Sequence, residues 1–225
     1  MRRYDVICLF PDMILRPLLY GIVGRALTEG VAEVHAYDLK NYGIGKKRQV
    51  DDRPYGGGPG MVLMCAPLFA AVEDVRRYNS GPVVLMSAQG VKLTQNLVKE
   101  LAGRQALVIV CGRYEGVDQR FIEKMVDMEI SIGDYILSGG EPAAVVLLDS
   151  IIRTLPGVVG NAQSLEYDSF ANQPLLGYPQ YTRPANFRGM RVPDVLLSGD
   201  HKAIKKWREL KAIELTRKRR PDLVK

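Results

Sequence analysis

Histidine is almost missing from this chain: among 225 residues only His35 and His201 carry an imidazole. That scarcity argues against a histidine-rich metal centre and against a Ser-His-Asp triad. Cysteine is scarce too. Cys8, Cys65 and Cys111 are odd in number, far apart, and set in or beside apolar runs, which suits buried reduced thiols better than a disulfide framework or a zinc site. No apolar run approaches the roughly 18 residues of a membrane span. The basic start Met1-Arg2-Arg3 meets Tyr4-Asp5 where a signal peptide would turn apolar. The expectation is a soluble, cytoplasmic protein with no membrane partner.

Charge is unevenly spread. Residues 1–168 carry 18 Lys+Arg against 20 Asp+Glu, net −2, whereas residues 169–225 carry 13 against 5, net +8. The basic excess sits in the last quarter of the chain, as in a polyanion-binding appendage; a solvated basic helix without a partner would show the same charge. The polar, weakly patterned segment from Gly160 to Asp168 coincides with the change of sign. The expected organisation is a main domain over 1–160, a flexible linker over 161–168 and a basic helical domain over 169–225.

Apolar runs at Tyr4 to Phe10, Pro82 to Met86, Ala106 to Cys111 and Met128 to Ile132 read as strands, as does Val31 to Tyr37, where Val31, Glu33 and His35 alternate with Ala32, Val34 and Ala36. Helical patterns lie between them, from Pro11 through Val23, over Pro67 to Tyr78, after Thr94 and over Val117 to Val126. This alternation predicts an α/β fold with a mostly parallel sheet. Three of the strands empty into glycine or small-residue loops, at Ser87 to Gly90, Gly112 to Gly116 and Gly133 to Gly140. If those strands are neighbours, the loops converge on one crevice at the carboxyl edge. From Asn41 to Gly60 the pattern breaks, as in functional or mobile segments. Its Gly56-Gly57-Gly58-Pro59-Gly60 lacks the Gly-Lys-Ser/Thr ending of a phosphate loop. Helix Ala143 to Leu155 is apolar nearly all round, so it should be buried in the domain or between subunits. In the last helix, Ile204, Trp207, Leu210 and Leu215 can pack while Lys205, Lys206, Lys211, Lys218, Arg219 and Arg220 stay outside.

Several longer motifs point to one family: Asp52-Arg53-Pro54-Tyr55-Gly56-Gly57-Gly58, Cys111 to Gly116, Ser131 to Tyr135, Leu137 to Glu141, Asp168-Ser169-Phe170, Tyr181-Thr182-Arg183-Pro184 and Ser198 to His201. In this order they resemble the bacterial tRNA (guanine-N1)-methyltransferases that modify position 37, of the SPOUT class, and the resemblance spans essentially the whole chain. Ala88 and Gln180 stand where many members carry proline and histidine. The resemblance implies a deep trefoil knot in the sheet, an obligate homodimer with active sites shared between subunits, and a tRNA substrate bound by the basic domain. It also implies an S-adenosylmethionine site made by Leu85, Met86, Ser87, Ala88, Gln89, Gly112, Arg113, Tyr114, Glu115, Gly116, Ile132, Gly133, Tyr135, Ile136, Leu137, Gly139 and Gly140. The catalytic residues it implies are Asp168 as general base, Arg153 as stabiliser of guanine O6, and Glu115 linked to Mg2+. Read as residues alone, Asp168 can equally be a helix N-cap, Arg153 can pair with Asp149, and Glu115 can simply shape its loop. A related enzyme acting on ribosomal RNA or a ribose hydroxyl, and a non-catalytic RNA-binding protein, are the competing expectations.

Overall fold

The structure is a computed structural model that describes residues 1–161 and 163–224. It divides into two compact units, Met1–Gly160 and Asn161–Lys225. In the first, β1 (Arg2–Cys8) leads through α1 (Pro11–Leu15) and α2 (Gly21–Thr28) to β2 (Ala32–Asp38). The short strands β3 (Asp51–Asp52) and β4 (Val62–Leu63) pair antiparallel and precede α3 (Cys65–Val75). Then come β5 (Val83–Lys92), α4 (Gln95–Ala102), β6 (Ala106–Cys111), α5 (Gln119–Met125), β7 (Met128–Ser131) and α6 (Glu141–Ile152). The main sheet has the order β2-β1-β6-β5-β7 with every pairing parallel, so the expected α/β class with a parallel sheet is what forms.

The inner strand β6 and the first half of β5 are covered on both faces, which is why they read as unbroken apolar runs, whereas the edge strand β2 alternates. Leu107, Ile109 and Cys111 of β6 pack with α1, α2, α4 and α6, while Val108 and Val110 pack with α3 and α5. Thr94 caps α4 as expected, its hydroxyl accepting from the Leu97 N–H at 3.3 Å. Helix α6 buries Ala144, Leu147, Leu148, Ile151 and Ile152 completely, yet leaves Val146 exposed.

Two expectations need correction. The single helix from Pro11 through Val23 is broken: α1 stops at Leu15, Pro17–Leu19 forms a 3₁₀ turn, and α2 restarts at Gly21. Pro17 lacks the N–H that a continuing helix needs and its ring crowds the preceding turn. Nor does β5 end at Ser87. Met86 and Val91 both face Ile130, so Ser87 to Gly90 are extruded as a bulge and the strand then resumes.

The second unit holds α7 (Gln163–Glu166), the hairpin β8 (Asn186–Phe187) and β9 (Met190–Arg191), α8 (Asp194–Leu197) and α9 (His201–Arg219). Of the expected linker 161–168, Ala162 lies outside the described residues. Asp200 caps α9, its carboxylate accepting from the N–H groups of Lys202 and Ala203 at 2.9 and 3.1 Å. Leu210 does not join the packing face and is exposed. Lys211 pairs with Glu214 and Arg220 with Asp222, each at 2.6 Å. Lys202, Lys205, Lys206, Arg217, Lys218 and Arg219 are exposed and make no ion pair among the described residues.

Burial sets the thiol chemistry. It pushes Cys8 up to about 12, with the nearby Glu141 charge adding to the shift, and it holds Cys111 well above the ordinary range. At pH 8 both should resist alkylation in the native protein and react once it is unfolded, as mass spectrometry of labelled peptides would show. Because the folded values are raised, the contribution of these thiols to stability is present below the ordinary thiol pKa and is lost as pH climbs above it.

Candidate active site

Strands β6, β5 and β7 are neighbours and parallel, so the loops at their carboxyl ends share one edge of the sheet. Those loops also touch. The Gly140 N–H donates to the Gly112 carbonyl at 2.7 Å, and Arg113 forms an antiparallel bridge with Gly139. A Cβ on Gly140 would lie 2.8 Å from Cys111 Cα and 2.9 Å from Gly112 N, inside the contact distance of any side chain. Glycine is therefore what lets the third loop close on the second. A Cβ on Gly112 would stand 3.3 Å from the Met86 carbonyl, which ties β5 into the same cluster.

One charge sits beneath these loops. Glu141, in the first turn of α6, is wholly buried. Its Oε1 accepts from the Leu9 N–H at 3.3 Å, and its Oε1 and Oε2 accept from Arg113 Nε at 3.2 and 3.0 Å. The Arg113 guanidinium lies over the Phe10 ring at 4.5 Å. A carboxylate without water survives only with such partners. Thus β1, the second loop and α6 are fastened at one point. Tyr114 adopts a left-handed φ of +59°, a conformation that for a bulky residue marks a held, strained position. Its phenol is pushed up by burial and by the Asp51 charge.

Glu115 is shaped from the other side. Its N–H donates to the Met61 carbonyl at 2.9 Å, and the Leu63 N–H donates to the Gly116 carbonyl at 3.0 Å. A Cβ on Gly60 would collide with the Glu115 carboxylate. The glycine run that fits no phosphate-loop pattern therefore ends against this loop. Leu85 and Met86 lie buried below, Ile132 is half-buried, and Tyr135, Ile136 and Leu137 stand exposed at the mouth, Ile136 to 82%.

The structure does not collect all expected residues in one unit. Arg153 is half-buried at the C-terminal cap of α6, where its N–H donates to the Asp149 carbonyl at 3.1 Å. Asp168 belongs to the second unit and is exposed. It caps no helix among the described residues, since α7 ends at Glu166 and the next helix begins at Asp194. Among the described residues no three His, Cys, Asp or Glu side chains gather where they could hold a metal. Glu115 belongs to no such cluster, so the expected link between Glu115 and Mg2+ finds no support among the described residues.

Comparison with known proteins matches residues 2–225 to the family described as tRNA (Guanine-1)-methyltransferase TrmD. The chain belongs to this family. Among relatives of the TrmD family, a tRNA (guanine-N(1)-)-methyltransferase of Persephonella marina is 49% identical over 99% of this chain and 88% of its own length. Those of Geobacter sulfurreducens and Trichodesmium erythraeum are 48% identical over 99% of this chain, covering 91% and 98% of their lengths. Two features of this TrmD-family site are missed by sequence reasoning. One is the buried pairing of Glu141, legible afterwards as a charge opening a helix whose one other ionisable residue is Asp149. The other is β4, which docks the 41–60 segment beside Glu115 and whose two residues carry no periodicity.

Proposed function

We propose that this chain transfers the methyl group of S-adenosylmethionine to N1 of guanine 37 in tRNA. The chief support is the meeting of the loops that follow the parallel strands β6 and β7, closed by Gly140 on Gly112 beside β5, in a chain that matches its family over residues 2–225. The residues present fit the donor: Tyr135, Ile136 and Leu137 are exposed and can cover an adenine. When bound, the donor supplies an electrophilic methyl on a sulfonium.

The chain's own part follows from the nucleophile. Guanine N1 carries a proton, so Asp168 accepts it as N1 attacks, and the Arg153 guanidinium stabilises the negative charge that develops on O6. Glu115, held by Met61 and Gly60, shapes the mouth. Residues 161–168 would act as the linker that places Asp168 over the guanine. The knot belongs to the same reading and is supported by the passage of Gly140 hard against Cys111 as the chain enters the buried α6. So does the homodimer, supported by exposed Phe10, Met13, Leu19, Tyr20 and Val146 on the first unit; light scattering should give twice the chain mass. Acting on tRNA, the enzyme would work in the cytoplasm.

The test is nucleoside analysis of unmodified tRNA incubated with the chain and the donor, which should yield 1-methylguanosine. A protein that only binds RNA would give none and would leave a calorimetric titration with the donor flat. Six exposed cations on α9 that form no ion pair among the described residues should neutralise tRNA phosphates. Affinity should then fall on the order of a thousandfold between about 50 and about 200 mM salt. A flat salt response in filter binding would contradict that assignment.

A further inference from the structure

A cavity of about 440 Å³ opens within the second unit, inside the roughly 300–1,000 Å³ range of small-molecule pockets. It is lined by the aromatic residues Tyr181 and Trp207, the cations Arg183 and Arg208, and the polar residues Gln180 and Thr182, and by no acidic residue among the described residues. Leu196 and Ile204 add apolar surface. The Trp207 and Tyr181 rings stand 6.3 Å apart and are inclined by 56°, and Tyr181 is half exposed. Arg208 stacks on Tyr178 at 4.8 Å, and its Nε is buried without an acceptor among the described residues. A buried donor left alone calls for an explanation, and a bound acceptor is the simplest.

Flat aromatic faces beside two cations, with no competing carboxylate, match a base and its phosphate. An apolar peptide would not need the arginines, and a bare anion would not need the rings. We infer that this cavity takes one unstacked nucleotide of single-stranded RNA, its base against Tyr181 and Trp207 and its phosphate at Arg183 and Arg208. The inference rests on the reading that the second unit binds tRNA. It adds a base-stacking contact to the phosphate contacts of α9, carried by residues outside the donor loops.

Trp207 is the chain's single tryptophan, so its fluorescence reports on the cavity directly. The full chain, without the methyl donor, is titrated with a single-stranded hexanucleotide RNA, with an abasic strand of equal phosphate count, and with a proline-rich peptide. The RNA should quench the fluorescence and the other two should not. Tyr181→Ala should weaken RNA binding about tenfold, and Arg183→Gln should lower the salt slope by about one, with circular dichroism showing both variants folded. Unchanged fluorescence, equal quenching by the abasic strand, quenching by the peptide alone, or full affinity in Tyr181→Ala would each overturn the inference. Formation of 1-methylguanosine is scored on the same preparation. Methylation without quenching rejects the nucleotide pocket alone, and quenching without methylation rejects the reaction alone.

Discussion

Asp168→Asn should stop 1-methylguanosine formation, lowering turnover about 10²- to 10⁴-fold, while the affinity for S-adenosylmethionine stays as it was. Asparagine keeps the shape and loses the basicity, so the change isolates proton acceptance from N1. Loss of fold is a poor alternative explanation here, because Asp168 is exposed and caps no helix among the described residues. The loops proposed to hold the donor lie in the other compact unit, so a calorimetric titration with the donor should give the parent's affinity. Turnover in Asp168→Asn close to the parent's would remove Asp168 from the reaction. Arg153→Gln should also lower turnover, through the lost charge near O6.

Glu141→Ala should destabilise the protein by about 3 kcal/mol, toward the low end of what breaking a buried ion pair costs, because the Arg113 side chain keeps 17% of its exposure. That is a large share of the roughly 5–15 kcal/mol that holds a domain together. The physical cause is threefold: the Leu9 N–H loses its acceptor, Arg113 keeps a charge with no counterion, and α6 loses its tie to the second loop. Donor affinity should fall with stability, since Arg113 and Gly139 are bridged at that point. Glu141→Gln should recover part of the stability, because an amide oxygen can still accept from Leu9. Chemical denaturation of the three proteins measures the series. A midpoint unchanged in Glu141→Ala would show that the pair contributes nothing.

How much of this could be read in advance depended on what each segment had to satisfy. Strand β6 is bounded as expected, Ala106–Cys111, because a six-residue apolar run between turn residues leaves few alternatives. The neighbouring positions of β6, β5 and β7 were legible only as a condition, since sequence gives strands but not their order. The break at Pro17 was visible as a residue, but the apolar spacing from Leu15 to Val23 outweighed it. The bulge after Met86 depends on the register of β5 against β7, which no local pattern encodes. Glu141 was hidden for a related reason. A charge next to a proline at a helix start looks like ordinary end chemistry until its partners, Leu9 and Arg113, are brought to it from distant parts of the chain. The roles of Asp168 and Arg153 follow from family resemblance rather than from their surroundings.

The central claim is a methyl group on N1 of one guanine, and N1 lies on the edge that pairs with an incoming base. Reverse transcription of tRNA incubated with this chain and S-adenosylmethionine should therefore halt at nucleotide 37, only when the donor is present, and should read through when guanine 37 is replaced. A halt at another nucleotide, or full read-through of the parent tRNA, would contradict the account.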